Sequence, residues 1–109
     1  MATLFEEKIQ RELENAVQAR EAGNQGRARV CARRAAGLAA QAYLTRHGQP
    51  ASGPSVLQAL HDLAAMSGVP ERARLAASRL VERVDTAFNL PAGVDLIEEA
   101  RELIRLLRE

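Results

Sequence analysis

Aromatic side chains are the scarcest component of this chain. With no tryptophan, one tyrosine and two phenylalanines, they make up 3% of it, so a core must be assembled from Leu, Ala, Val and Ile. Such a core favours helices over strands, which draw on aromatic and β-branched residues. Cysteine is nearly absent as well. Cys31 alone can close no internal disulfide and join no thiolate cluster around zinc, which points to an intracellular, cytoplasmic protein without a structural metal. Long apolar runs are missing, since no stretch approaches the roughly 18 consecutive apolar residues of a membrane span. The first residues, MATLFEEKIQRELENA, are acidic from Glu6 onward and have no leader-like apolar run. Charge of one sign is not in excess either. A formal net charge of +1 excludes a uniformly basic nucleic-acid binder and leaves room only for a local cationic patch. Strand-like alternation, hairpin turns and repeats of solenoid length are all absent.

What is present is helical periodicity. The length of 109 residues suits one domain, residues 1–109, around a single core. Thr3 and Glu6 form a capping box that starts a first helix at Leu4, and Phe5, Ile9, Leu13, Ala16 and Val17 make its apolar stripe to about residue 22. Gly23, Asn24 and Gly26 then supply a tight reversal with Asn24 as the next cap, so helices one and two are antiparallel neighbours.

Residues 25–47, QGRARVCARRAAGLAAQAYLTRH, read as one helix of about six turns around which the rest is arranged. Ala28, Ala32, Ala35, Ala36, Ala39, Ala40 and Ala42 surround Gly37, and small residues on several sides let neighbouring helices approach. The same helix carries Arg27, Arg29, Arg33, Arg34 and Arg46 without one acid, so part of its surface must reach water or an anion. Gly48 lies past its end and residues 49–54 form the longest loop. A short third helix spans 55–66 with Val56, Leu57, Leu60, Leu63 and Ala64 inward. Pro70 takes the first position of a fourth, 70–86, and NLPAG at 89–93 precedes a last helix at 94–108. The expected fold is all-α, an up-and-down bundle of four main helices plus one short helix.

Chemistry is harder to find. Cys31 shares a face with Ala28, Ala35, Leu38 and Ala42, which suits a small buried hydrophobe; only an exposed thiol would feel Arg27 and Arg34 as activating charges. His47 falls in the last turn of helix two, where a cation meets the carbonyl end of the dipole. His61 and Asp62 are adjacent, hence about 100° apart on a helix and not a ready pair. No residues have metal-ligand spacing and no glycine loop is built to cradle phosphate. Glu98, Glu99 and Glu102 interleave with Arg101 and Arg105 as helix-surface pairs. The reading is therefore no catalytic residue, no metal site and no cofactor.

Two surfaces remain as candidates. Arg29 and Arg33 lie one turn apart on one side of helix two, and Arg27 and Arg34 two turns apart on another; with Tyr43 they form a candidate nucleotide or RNA site. The alternative is internal salt bridges to helix one, which has five acids against three bases. The last helix presents Leu96, Ala100, Leu103, Ile104 and Leu107 on an apolar face wider than a terminal helix needs. That face is a candidate homodimer interface, unless two neighbours within the monomer cover it.

The run ARVCARRAAGLAAQAYLTRHG, with an Arg and Ala stretch before a Tyr and Leu end, resembles the second helix of the HEPN domain family. DTAFNLPAGVDLIEEARELIRLL, a proline-containing break before a last amphipathic helix, extends the likeness over residues 16–107. The resemblance implies a helical bundle that often dimerises and that pairs with small nucleotidyltransferases, binds nucleotides or RNA, or acts as a ribonuclease. Ribonuclease members carry an Arg followed, after four to six residues, by a His. At that distance this chain has Pro54, Ser55 and Val56 before His61, and Ala40, Gln41 and Ala42 before His47, so no catalytic residue carries over. The expectation is a non-nuclease, HEPN-like interaction domain, homodimeric, docking a protein such as a nucleotidyltransferase.

Overall fold

The computed structural model describes residues 4–49, 55–82 and 95–108. These residues form five helices and no strand: α1 (Leu4–Glu21), α2 (Gln25–Arg46), α3 (Val56–Ala65), α4 (Glu71–Val81) and α5 (Leu96–Arg108). Consecutive helices pack on one another and α5 returns to α2, as an up-and-down bundle requires. The capping box at Thr3, the far part of the expected fourth helix and the break at 89–93 lie outside the described residues.

The helix ends follow from local chemistry. At the end of α1 the Gly23 N–H donates to the Arg20 carbonyl at 3.0 Å and the Asn24 N–H to the Ala19 carbonyl at 2.8 Å. The end of α2 repeats this arrangement, with Gly48 N–H to the Thr45 carbonyl at 3.1 Å and Gln49 N–H to the Leu44 carbonyl at 2.8 Å. Both turns need a left-handed residue just past the helix, and Gly23 (φ 80°) and Gly48 (φ 69°) fill that position. Asn24 closes one helix and opens the next, because its Oδ1 accepts from the Arg27 N–H at 3.0 Å. Ser55 Oγ caps α3 by accepting from the Leu57 N–H at 3.1 Å.

α2 is the central element and packs against all four other helices. Its buried residues are Ala28, Cys31, Ala32, Ala35, Ala36, Gly37, Ala39, Ala40 and Leu44, so small side chains occupy most of its circumference. Gly37 is the tightest point. A Cβ there would meet the backbone carbonyl oxygen of Val56 at 2.8 Å, and the start of α3 can sit so close only because no Cβ exists.

Some expectations are corrected. Leu57 faces outward at 42% exposure, because it lies about 120° around α3 from fully buried Leu63. Pro70 precedes α4 as its cap residue, extended at φ −52° and ψ 140°, rather than occupying its first turn. The largest correction concerns α5. Leu96, Ala100, Leu103, Ile104 and Leu107, read as a candidate dimer face, are all buried within the chain as α5 packs on α2 and α4. Those neighbours meet it with small residues, Ala73, Ala76 and Ala77 of α4 and the alanines of α2, so the large side chains of α5 must fill the space between. The wide face is thus an internal requirement, and it provides no subunit surface.

Candidate functional site

The arginines of α2 separate into two sets. Arg33 and Arg46 are tied to helix ends by their guanidiniums. Arg33 donates from Nε to the Leu80 carbonyl at 2.7 Å and from Nη2 to the Glu82 carbonyl at 3.0 Å, while Arg46 donates from Nη2 to the Leu107 carbonyl at 2.8 Å. These are the last carbonyls of α4 and α5, which have no partner within their helices and sit at the negative end of each dipole. Sequence analysis offered the acids of helix one as internal partners; the bonds go instead to backbone. Burial lowers the Arg33 pKa below its ordinary value, and the nearby charge of Arg29 lowers it further. Arg29 itself is half-buried beside a cleft formed with Arg20, Asp95 and Leu96. The Arg29 and Arg33 pair is therefore not a free anion clamp.

Arg27 and Arg34 form the other set. They are exposed and, among the described residues, their guanidiniums make no hydrogen bond or ion pair. Among the described residues small buried side chains occupy most of α2 and leave an open strip, on which Arg27, Val30, Arg34 and half-buried Leu38 recur at helical steps. The two arginines are seven positions apart, about 10 Å along the axis. Val30, between them, is a large apolar side chain at 42% exposure.

At the Arg34 end the strip opens into a groove of 280 Å³ lined by Lys8, Arg11, Glu12, Arg34, Leu38 and Val56. Lys8 and Arg11 come from α1 and, like Arg34, lack a described partner. Glu12 is the acid of this group, and its Oε2 is buried with no hydrogen-bond partner. Three cations against one carboxylate leave the groove positive. Its apolar floor of Leu38 and Val56 suits a partner that brings both carbon and negative charge. Sequence analysis missed Lys8, Arg11 and Val30, whose role depends on which sides of α1 and α2 are covered.

Tyr43 does not join this surface. It lies nine residues beyond Arg34, half a turn out of phase, and its ring is tilted against His47 with centroids 4.1 Å apart while Arg46 stands 5.8 Å above it. The stacking partner expected for a base is thus on the opposite side of α2 from Arg34. Cys31 is 2% exposed inside the core. Among the described residues no group of three or more His, Cys, Asp or Glu is placed to hold a metal, and no helix is long and apolar enough to cross a membrane.

No protein-family model matches the sequence, and neither a curated protein nor a solved structure matches it. The likeness to the HEPN family rests on the residues quoted for it, and its proline-containing break lies outside the described residues.

Proposed function

We propose that this chain is a non-catalytic, HEPN-like helical interaction domain that docks a partner protein along the open strip of α2. Arg27, Arg34, Lys8 and Arg11 meet acidic side chains of the partner, and Val30 and Leu38 meet its apolar ones. The supporting observation is the contrast among the cations: the guanidiniums of Arg33 and Arg46 are bonded to helix ends, whereas the charged groups of these four make no hydrogen bond or ion pair among the described residues. A small nucleotidyltransferase with an acidic docking surface is a partner of the required kind. The mixture of cations and aliphatic side chains, with Tyr43 on the far side of the helix, favours a protein partner over an RNA strand, which draws on aromatic stacking.

The test is affinity capture from source-cell extract on three baits: wild type, Arg27→Glu/Arg34→Glu, and Arg72→Glu/Arg101→Glu, whose arginines belong to α4 and α5 and pair with acids of α5. A protein retained by the wild type and the second variant, and lost from the first, is the expected result. Equal retention on all three removes the strip from the account. Nucleic acid in place of protein in the wild-type eluate transfers the same cations to an RNA-binding role.

A further inference from the structure

A second concave site lies at one end of the bundle, past the Leu38 end of the cationic strip. It is a cavity of 240 Å³ between the start of α1 and the ends of α2 and α5. Its walls are apolar: Phe5 and Ile9 from α1, Ala39 and Ala42 from α2, Ile104 and Leu107 from α5. Its polar lining residues are Glu6, Thr45, Arg46 and Arg108. Along α2 and α5 the polar members come after the apolar ones, and α1 runs the opposite way, so the polar groups gather at the outer end and the apolar walls lie deeper.

Among the described residues the rim carries two guanidiniums against one carboxylate. Arg46 is held in place by its bond to the Leu107 carbonyl, which uses one Nη and leaves other donors of the guanidinium available. The Thr45 hydroxyl adds a donor. Phe5, an aromatic side chain at 40% exposure, stands over the opening where a ligand would cover it. An apolar slot with a few polar groups at one end is the usual form of a small-molecule site, and between helices is a usual place for one. The volume is below the common range of about 300–1,000 Å³, so the occupant is small.

We infer that this cavity binds a small amphiphilic carboxylate, an unbranched acid of medium chain length, with its tail among Ile9, Ala39 and Ile104 and its head on Arg46, Thr45 and Arg108. The tail replaces water against buried alkyl groups, and the head takes the charge-assisted bonds that guanidinium geometry favours. The site is independent of the docking strip and stands if that reading fails.

Calorimetric titration of the full chain with octanoate, with octan-1-ol as the uncharged control, tests the inference. Saturable octanoate binding is expected, weakened roughly tenfold for the alcohol, as loss of one charge-assisted interaction implies. Arg108→Ala should weaken octanoate without changing the alcohol. Ala42→Phe, which fills the slot, should abolish both while the thermal transition is retained; should that variant not fold, Phe5→Ala at the exposed rim should weaken both. Absence of saturable binding, equal affinity for acid and alcohol, or octanoate binding unchanged in Ala42→Phe and Phe5→Ala would overturn the assignment.

Discussion

Gly37 sets two residue-scale effects against each other. In an open helix, replacing Gly by Ala gains about 1 kcal/mol in helix propensity. Here the added methyl would enter the backbone of Val56, and overpacking of a close contact costs about 1–3 kcal/mol. The steric effect is the larger because the obstacle is main chain and cannot rotate away, so Gly37→Ala is expected to lower the denaturant midpoint rather than raise it. Arg33 and Arg29 provide a second comparison. Arg33→Met removes two bonds to the carbonyl end of α4 and should cost about 1–3 kcal/mol, after allowance for its partial exposure. Arg29→Met removes no such bond and should stay within about 0.5 kcal/mol, as surface changes do. Paired urea titrations of the two variants decide the matter, and equal losses would mean that the carbonyl bonds contribute nothing measurable.

At the scale of elements, α5 is tied down by charge at its start and at its middle. Asp95 Oδ1 accepts from the Ile97 N–H at 3.0 Å, and its Oδ2 takes Arg20 of α1 at 3.0 Å. Further along, Glu102 receives Nε and Nη2 of Arg105 at 3.1 and 2.7 Å and Arg72 of α4 at 2.9 Å. The hydrogen bond from Arg105 lowers the Glu102 pKa below its ordinary 4.5; burial opposes this, and the charges of Arg105 and Arg72 reinforce it. A carboxylate depressed in the folded state contributes stability that is present above the unfolded value and lost as pH falls through the folded one. Thermal melting of Glu102→Gln should therefore fall less than that of the wild type when pH is lowered from neutral through the range below 4.5. An identical acid response in both proteins would remove this pair from the pH dependence.

Much of the element plan was legible in sequence, and the limits have physical causes. Gly23, Asn24 and Gly48 announced the ends of α1 and α2 because caps depend on a few adjacent residues. The central place of α2 was readable from alanine distributed all around it. The partners of Arg33 and Arg46 were not, since the carbonyls they meet belong to helices 47 and 61 residues away in the chain. For α5 the sequence left two readings open, a subunit face or cover by two neighbours within the chain, and the second is the one the structure shows. A wide Leu and Ile face looks like surplus until its neighbours prove to be built from alanine and leave that much space. In the candidate site Arg27 and Arg34 were named from sequence, but grouping them with Arg29, Arg33 and Tyr43 spread one site over several sides of one helix.

For the whole molecule, a net charge near zero conceals a division of labour among its cations. Some neutralise helix ends or surface acids, and the charged groups of those on the α1 and α2 strip have no partner among the described residues. A complex built on them should weaken as ionic strength rises, because exposed charge pairs are screened within about 10 Å at 0.1 M salt. The most direct measurement is site-specific photocrosslinking in the source cells, with a photoreactive residue placed at Val30 and, as a matched control, at Leu75 of α4. The two side chains are similarly exposed, 42% and 49%, and only Val30 lies on the strip. Crosslinks to a protein from position 30, absent from position 75, are the result predicted. Crosslinks from position 75 alone, or from neither, would contradict the claim that the open strip of α2 is the contact surface.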